Sequence, residues 1–104
     1  MSYIVDFVEF DHFNHESQIV ATHQCDPDEL DILRQRAVKM FHFQTTHYGS
    51  PITYFVVEQS PADMLNDLYS VGVVTDGTVK HRRVVRALNP LNAAQLAHIG
   101  TTEF

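Results

Sequence analysis

Scarcity narrows the reading of this chain before any motif does. Its 104 residues hold a single cysteine, Cys25. One thiol closes no internal disulfide, so the disulfide frameworks of small secreted domains are excluded and a reducing compartment, the cytoplasm, is the expected location. Cys25 lies in His23-Gln24-Cys25-Asp26-Pro27 with no base set to activate it, so it reads as an inert small residue. No apolar run approaches the roughly 20 residues that span a bilayer, and no membrane contact is expected. Acids interrupt the apolar opening Met1-Ser2-Tyr3-Ile4-Val5-Asp6, and no basic region precedes it, so a cleaved signal peptide is not expected.

Motifs that carry chemistry are missing as well. No glycine-rich run leads into a helix with Lys and Ser or Thr, which excludes a phosphate loop. Ser17, Ser50, Ser60 and Ser70 stand in no nucleophile-elbow context. There is no HExxH arrangement and no cysteine pair, so no cofactor is expected.

The scarcity with the most consequence is of positive charge. Residues 1–33 contain no Lys or Arg but eight acids: Asp6, Glu9, Asp11, Glu16, Asp26, Asp28, Glu29 and Asp31. The remainder holds all seven bases, four of them in Lys80-His81-Arg82-Arg83-Val84-Val85-Arg86. The net charge of −6 argues against general nucleic-acid binding. The layout, an acidic third and one basic segment, points to contact with another macromolecule.

What is present is a foldable pattern. Apolar residues make up 44%, including seven Phe and four Tyr, which is the composition of one globular domain over residues 1–104. Residues 3–10 and 17–24 read as strands of a hairpin, turning through 11–16. Asp26 as N-cap, Pro27 at the first helical position and Glu29 at the third open a helix expected to run to about residue 43. Leu30, Leu33, Ala37, Met40 and Phe41 form its apolar stripe. Residues 52–59, apolar on both faces, read as a central strand. Ser60-Pro61 caps a short helix over 62–69. Asp76-Gly77 joins strands 71–75 and 78–88 in a hairpin. Asn89-Pro90 opens a last helix ending at Gly100, with 101–104 frayed. The order ββαβ(α)ββα predicts an α+β fold: a mostly antiparallel sheet of about five strands with helices packed on one face.

Several residues then compete for a functional role. On a regular strand Lys80, Arg82 and Arg86 project from one face, while Arg83 shares the other with Val79 and Val85. Such a row could meet an acidic partner or hold phosphate, with Tyr54 or Tyr48 stacking on a base. It could equally be a charged edge strand whose arginines pair with acids of the first third. Asp6, Glu9, Asp11 and Glu16 form the matching acidic surface. Asp6 and Glu9 interrupt an apolar strand; one of them buried with a raised pKa would be a candidate acid or base, but each is expected to face solvent or pair with an arginine of the other hairpin. His12 and His15, beside Glu16, are weak candidates for zinc, and two such histidines in a polar turn ordinarily are just solvated.

These residues favour a non-enzymatic binding module, a small regulator or inhibitor that docks on a partner protein through charged surfaces, with a homodimer possible. The alternatives are a binder of a small phosphorylated ligand such as a nucleotide at residues 80–86, and a metal-dependent enzyme using the His12/His15 turn.

Overall fold

In the computed structural model, which describes residues 2–11, 16–48, 52–75 and 77–102, the elements follow the ββαβ(α)ββα order. Strands β1 (Tyr3–Asp11), β2 (Glu16–Cys25), β3 (Ile52–Gln59), β4 (Leu68–Thr75) and β5 (Thr78–Arg86) form one sheet in the order β2-β1-β3-β4-β5. Every pairing is antiparallel. The protein is an α+β fold.

The central strand explains the layering. Alternate residues of β3 point to opposite faces, and both sets are apolar. Tyr54 and Val56 join Val5 and Phe7 on one face, and Phe55 and Val57 join Val8, Val71 and Val73 on the other. Each face needs its own cover. Helix α1 (Leu30–Tyr48) lays Leu33, Ala37 and Phe41 on the first. Helix α3 (Pro90–Thr102) lays Ala93, Ala94 and Ala97 on the second, small side chains that let it lie close to the strands. The expectation of helices on one face is therefore corrected: a sheet apolar on both sides exposes one of them unless both are covered. Each fully buried Phe or Val contributes about 1.5–3 kcal/mol, so the sheet's two faces carry most of the stabilisation.

Local chemistry sets most boundaries. A turn of 3-10 helix, Pro27–Glu29, precedes α1. The Glu29 carboxylate accepts from the Asp26 backbone N–H at 3.2 Å, the return half of the anticipated capping box. The acids Asp26, Asp28 and Glu29 cluster there for that reason. Helix α1 runs five residues past the expected end. Helix α2 covers only Pro61–Met64, with the Ser60 hydroxyl accepting from Asp63 N–H at 3.1 Å. Asp67, at φ 53°, then reverses the chain, and Leu68 and Tyr69 enter β4 opposite Arg86 and Val85. That pairing overrides the helical reading of 65–69. Gly77 takes φ 79° in the β4–β5 turn, as a two-residue hairpin requires, and Thr75 faces Thr78. Asn89 caps α3 through its side-chain oxygen, which accepts from Asn92 N–H at 2.8 Å. The helix passes through Gly100 to Thr102.

Candidate functional site

The hairpin of β4 and β5 departs from regular alternation at one place. Val71 faces Arg83 and Val73 faces Lys80, so residues 81 and 82 together stand opposite the single Gly72. A bulge of this kind shifts the alternation beyond it by one residue. Val79 packs on the α1 face, which puts Lys80 on the α3 face. Beyond the bulge, Arg83 follows Val71 to the α3 face, while Arg82, Val84 and Arg86 share the α1 face with Ser70. The row of Lys80, Arg82 and Arg86 that unbroken alternation predicts is thus broken: Lys80 joins Arg83 on the α3 face.

Gly72 makes this local packing possible. A Cβ there would lie 2.4 Å from Val79 Cγ1 and 3.3 Å from Arg82 Cγ. Both side chains occupy space that any other residue would fill. Lying across that gap, Arg82 reaches Glu58 of β3: its Nη2 donates to Glu58 Oε1 at 2.8 Å and to Ser70 Oγ at 3.3 Å. From the helix above, Arg34 Nε and Nη2 each donate to a different Glu58 oxygen at 2.7 Å. Arg34 also bonds Asp31 at 3.0 Å. Glu58, only 4% exposed, is thereby held by two guanidinium groups. Its hydrogen bonds push the Arg34 pKa up further, against a smaller opposing effect of burial. The sheet, the bulge and α1 meet at this cluster. Beside it a cleft of about 430 Å³ opens between α1 and the hairpin, lined by Arg34, Lys39, Arg82 and Thr78 among others.

The other expected site residues lie elsewhere. Tyr54 is core, its ring stacked on Phe41 with centroids 3.8 Å apart, so it is no platform for a ligand's base. Burial raises its pKa, with a contribution from Glu9. Asp6 is no surface acid: at 4% exposure on the α3 face, it accepts from the Thr22 hydroxyl at 2.5 Å, and no arginine pairs with it among the described residues. Glu9, Asp11 and Glu16 remain on the β1–β2 pair, Glu9 accepting from Gln18 at 3.3 Å. Cys25 is buried, and burial, together with Glu29, Glu58, Asp26 and Asp28, raises its pKa. His12 and His15, like Tyr48's surroundings at 49–51, lie outside the described residues.

Asp6 carries a pH prediction. Burial raises its pKa above the ordinary aspartate value, while the Thr22 hydrogen bond and nearby His23 partly offset that. The folded state therefore holds the proton more tightly than the unfolded chain. Its stability contribution is most favourable below the unfolded pKa and declines as pH rises through the folded one. Asp6→Asn keeps the acceptor for Thr22 without the charge. Its melting temperature is expected to exceed the wild type's at pH about 7 and to lose that advantage near pH 4. A difference between the two proteins that does not change with pH refutes the assignment.

The acids of β1 and β2 are set apart from the basic strand by strand order. The β1–β2 pair ends one edge of the sheet and β5 ends the other, with β3 and β4 between. The acids that do bind arginines of this cluster are Glu58 and Asp31; the acids of β1 and β2 are not among them. At the end of β5, Ala87 N–H bonds Asp67 O at 3.0 Å, bringing the 65–67 turn beside residues 87–89. Leu65 and Leu88 there are 86% and 89% exposed, and Val84 is 64% exposed. Among the described residues, no helix is long and apolar enough to cross a membrane. The chain matches no protein-family model, no curated protein and no solved structure among those it was compared with.

Sequence reasoning missed Glu58, Arg34 and Gly72. The available signals were a carboxylate at the end of an apolar strand, and an isolated glycine in Val71-Gly72-Val73-Val74, a mark of a bulge or close approach.

Proposed function

We propose that the chain is a non-enzymatic binding module, a small regulator or inhibitor that docks on an acidic, extended segment of a partner protein along β5. The observation that carries this reading is the placement of the basic strand at a sheet edge, remote from the acidic β1–β2 edge that could have neutralised it. An edge strand offers outward N–H and C=O groups to an added strand. Lys80 and Arg86 are exposed and take part in no ion pair among the described residues. Val84, Leu65 and Leu88 add apolar anchors at one end, the kind of contact that dominates binding energy, while the cations steer and orient the partner.

Self-association fits less well. Two copies paired β5 to β5 about a two-fold axis set cations against cations. Pairing β5 with the acidic edge of another copy is head to tail and does not close.

A synthetic peptide alternating Glu and Val tests the reading against one alternating Lys and Val. With isotope-labelled protein, the acidic peptide is expected to shift amide signals along residues 79–88. Added salt weakens that binding, and Leu88→Asp weakens it by about tenfold, the loss of one apolar anchor. Equal binding of both peptides, shifts confined to β2, or salt-sensitive oligomers of the protein alone would each overturn it.

A further inference from the structure

We infer that the cleft between α1 and the β4–β5 hairpin is a binding site for a small organic phosphate monoester. It is separate from the outer edge of β5 and involves a different ligand class.

The lining is built from two directions. Asp31, Arg34, Gln35, Val38 and Lys39 recur at helical spacing along one stripe of α1, and Gly77, Thr78, Val79 and Arg82 face them from the hairpin. Two of the three cations are held in place before any ligand arrives. Arg34 is fixed bidentately on Glu58, and Arg82 is fixed on Glu58 and Ser70. Fixed guanidinium groups lose little freedom on binding, and their remaining N–H donors suit phosphate oxygens. Lys39 is exposed, takes part in no ion pair among the described residues and supplies a third charge.

The charge balance favours an anion. Arg34, Lys39 and Arg82 bring three positive charges, and Glu58 and Asp31 bring two negative ones, leaving the cleft net positive in a chain whose net charge is −6. Asp31 opposes an anion, but it lies at the exposed end of the stripe and is bonded to Arg34. Val38 and Val79 give the cleft an apolar wall, which inorganic phosphate would not use and a sugar or nucleoside body would. At about 430 Å³ the space is in the range of small-ligand sites.

The test titrates labelled protein with adenosine monophosphate, a hexose phosphate, inorganic phosphate and sulfate. At least one of the two organic monoesters is expected to shift amide signals of residues 34–39 and 77–82 saturably, and to bind more tightly than either inorganic ion. Which of the two does so identifies the body the apolar wall accepts. Lys39→Gln, an exposed change that leaves the Glu58 cluster whole, is expected to weaken that binding about tenfold. Lys80→Gln, on the other face of the sheet, is expected to leave it unchanged. The inference is overturned if neither monoester shifts these signals, if sulfate binds as well as the monoesters, or if the two lysine variants lose affinity equally. Peptide binding along β5 is read from residues 79–88 and by Leu88→Asp, so either proposal can fail while the other stands.

Discussion

Glu58→Ala is expected to destabilise the protein by about 3 kcal/mol, a large share of the total for a domain of this size. The carboxylate is buried and receives three charge-assisted hydrogen bonds at 2.7–2.8 Å from Arg34 and Arg82. Removing it leaves two guanidinium groups facing each other, with only the exposed Asp31 still paired to Arg34. Arg34 is the less exposed of the two, at 23% against 39%, so it bears more of the desolvation cost. Both still reach solvent, which places the effect at the lower end of the range for broken buried pairs. For a chain of this length the melting temperature should fall by on the order of 15 °C. Glu58→Gln should also destabilise, because its amide nitrogen turns a donor toward donors. Combining Glu58→Leu with Arg34→Met should cost less than the two single changes together, since only the more exposed Arg82 then lacks its carboxylate. Denaturant titration of the variants checks this. A Glu58→Ala protein within about 0.5 kcal/mol of wild type, the scatter of ordinary surface substitutions, would show that the cluster holds nothing together.

The second large effect is expected at Gly72. In most strands glycine is a weakness, and replacing it with alanine gains about 0.4–1 kcal/mol by restricting the unfolded chain. Here the new methyl group would sit 2.4 Å from Val79 Cγ1, well inside contact distance. Val79 is β-branched and stiff, and it is held in a hairpin closed by Thr75 and Thr78, so it cannot swing aside. The strand must move instead. The overpacking penalty of about 1–3 kcal/mol then exceeds the entropic gain, and Gly72→Ala should be destabilising. Gly72→Val should be worse. Val79→Ala removes the clashing atoms, so the double variant Gly72→Ala/Val79→Ala should be more stable than the sum of the single changes indicates. Because Arg82 Cγ also lies 3.3 Å from the same point, Gly72→Ala should loosen the Arg82–Glu58 pair, visible as altered exchange of the Arg82 side-chain protons. Additive single changes would refute the packing account.

Both predictions concern residues that the pattern of the chain underplays. Glu58 ends a strand that otherwise looks wholly buried, and nothing local names its partners, which stand 24 residues away on either side. Gly72 reads as a minor interruption until the opposite strand is in place. Arg82 was legible as part of a basic segment, but its role depends on where that segment's alternation breaks. Tyr54 illustrates the reverse error: an aromatic residue suited to stacking on a ligand is consumed by stacking on Phe41.

The features settled by sequence alone are those whose causes are local. Asp26-Pro27 with Glu29 opens a helix, Gly77 turns a hairpin, Asn89-Pro90 opens another helix, and runs of β-branched and aromatic residues mark the strands, because capping and backbone preference act over a few residues. The separation of acidic from basic residues along the chain was equally plain. Its meaning was not, because whether the two segments meet depends on which strands become neighbours. Strand order β2-β1-β3-β4-β5 carries the acids of β1 and β2 and the basic strand to opposite edges, while Asp31, on α1, shares a cleft with Arg82. One extra residue in β5 sends Lys80 and Arg83 to one face and Arg82 to the other. Pairing between distant strands is decided by how both faces of the sheet are covered, and a one-residue shift in that pairing reverses every side chain beyond it.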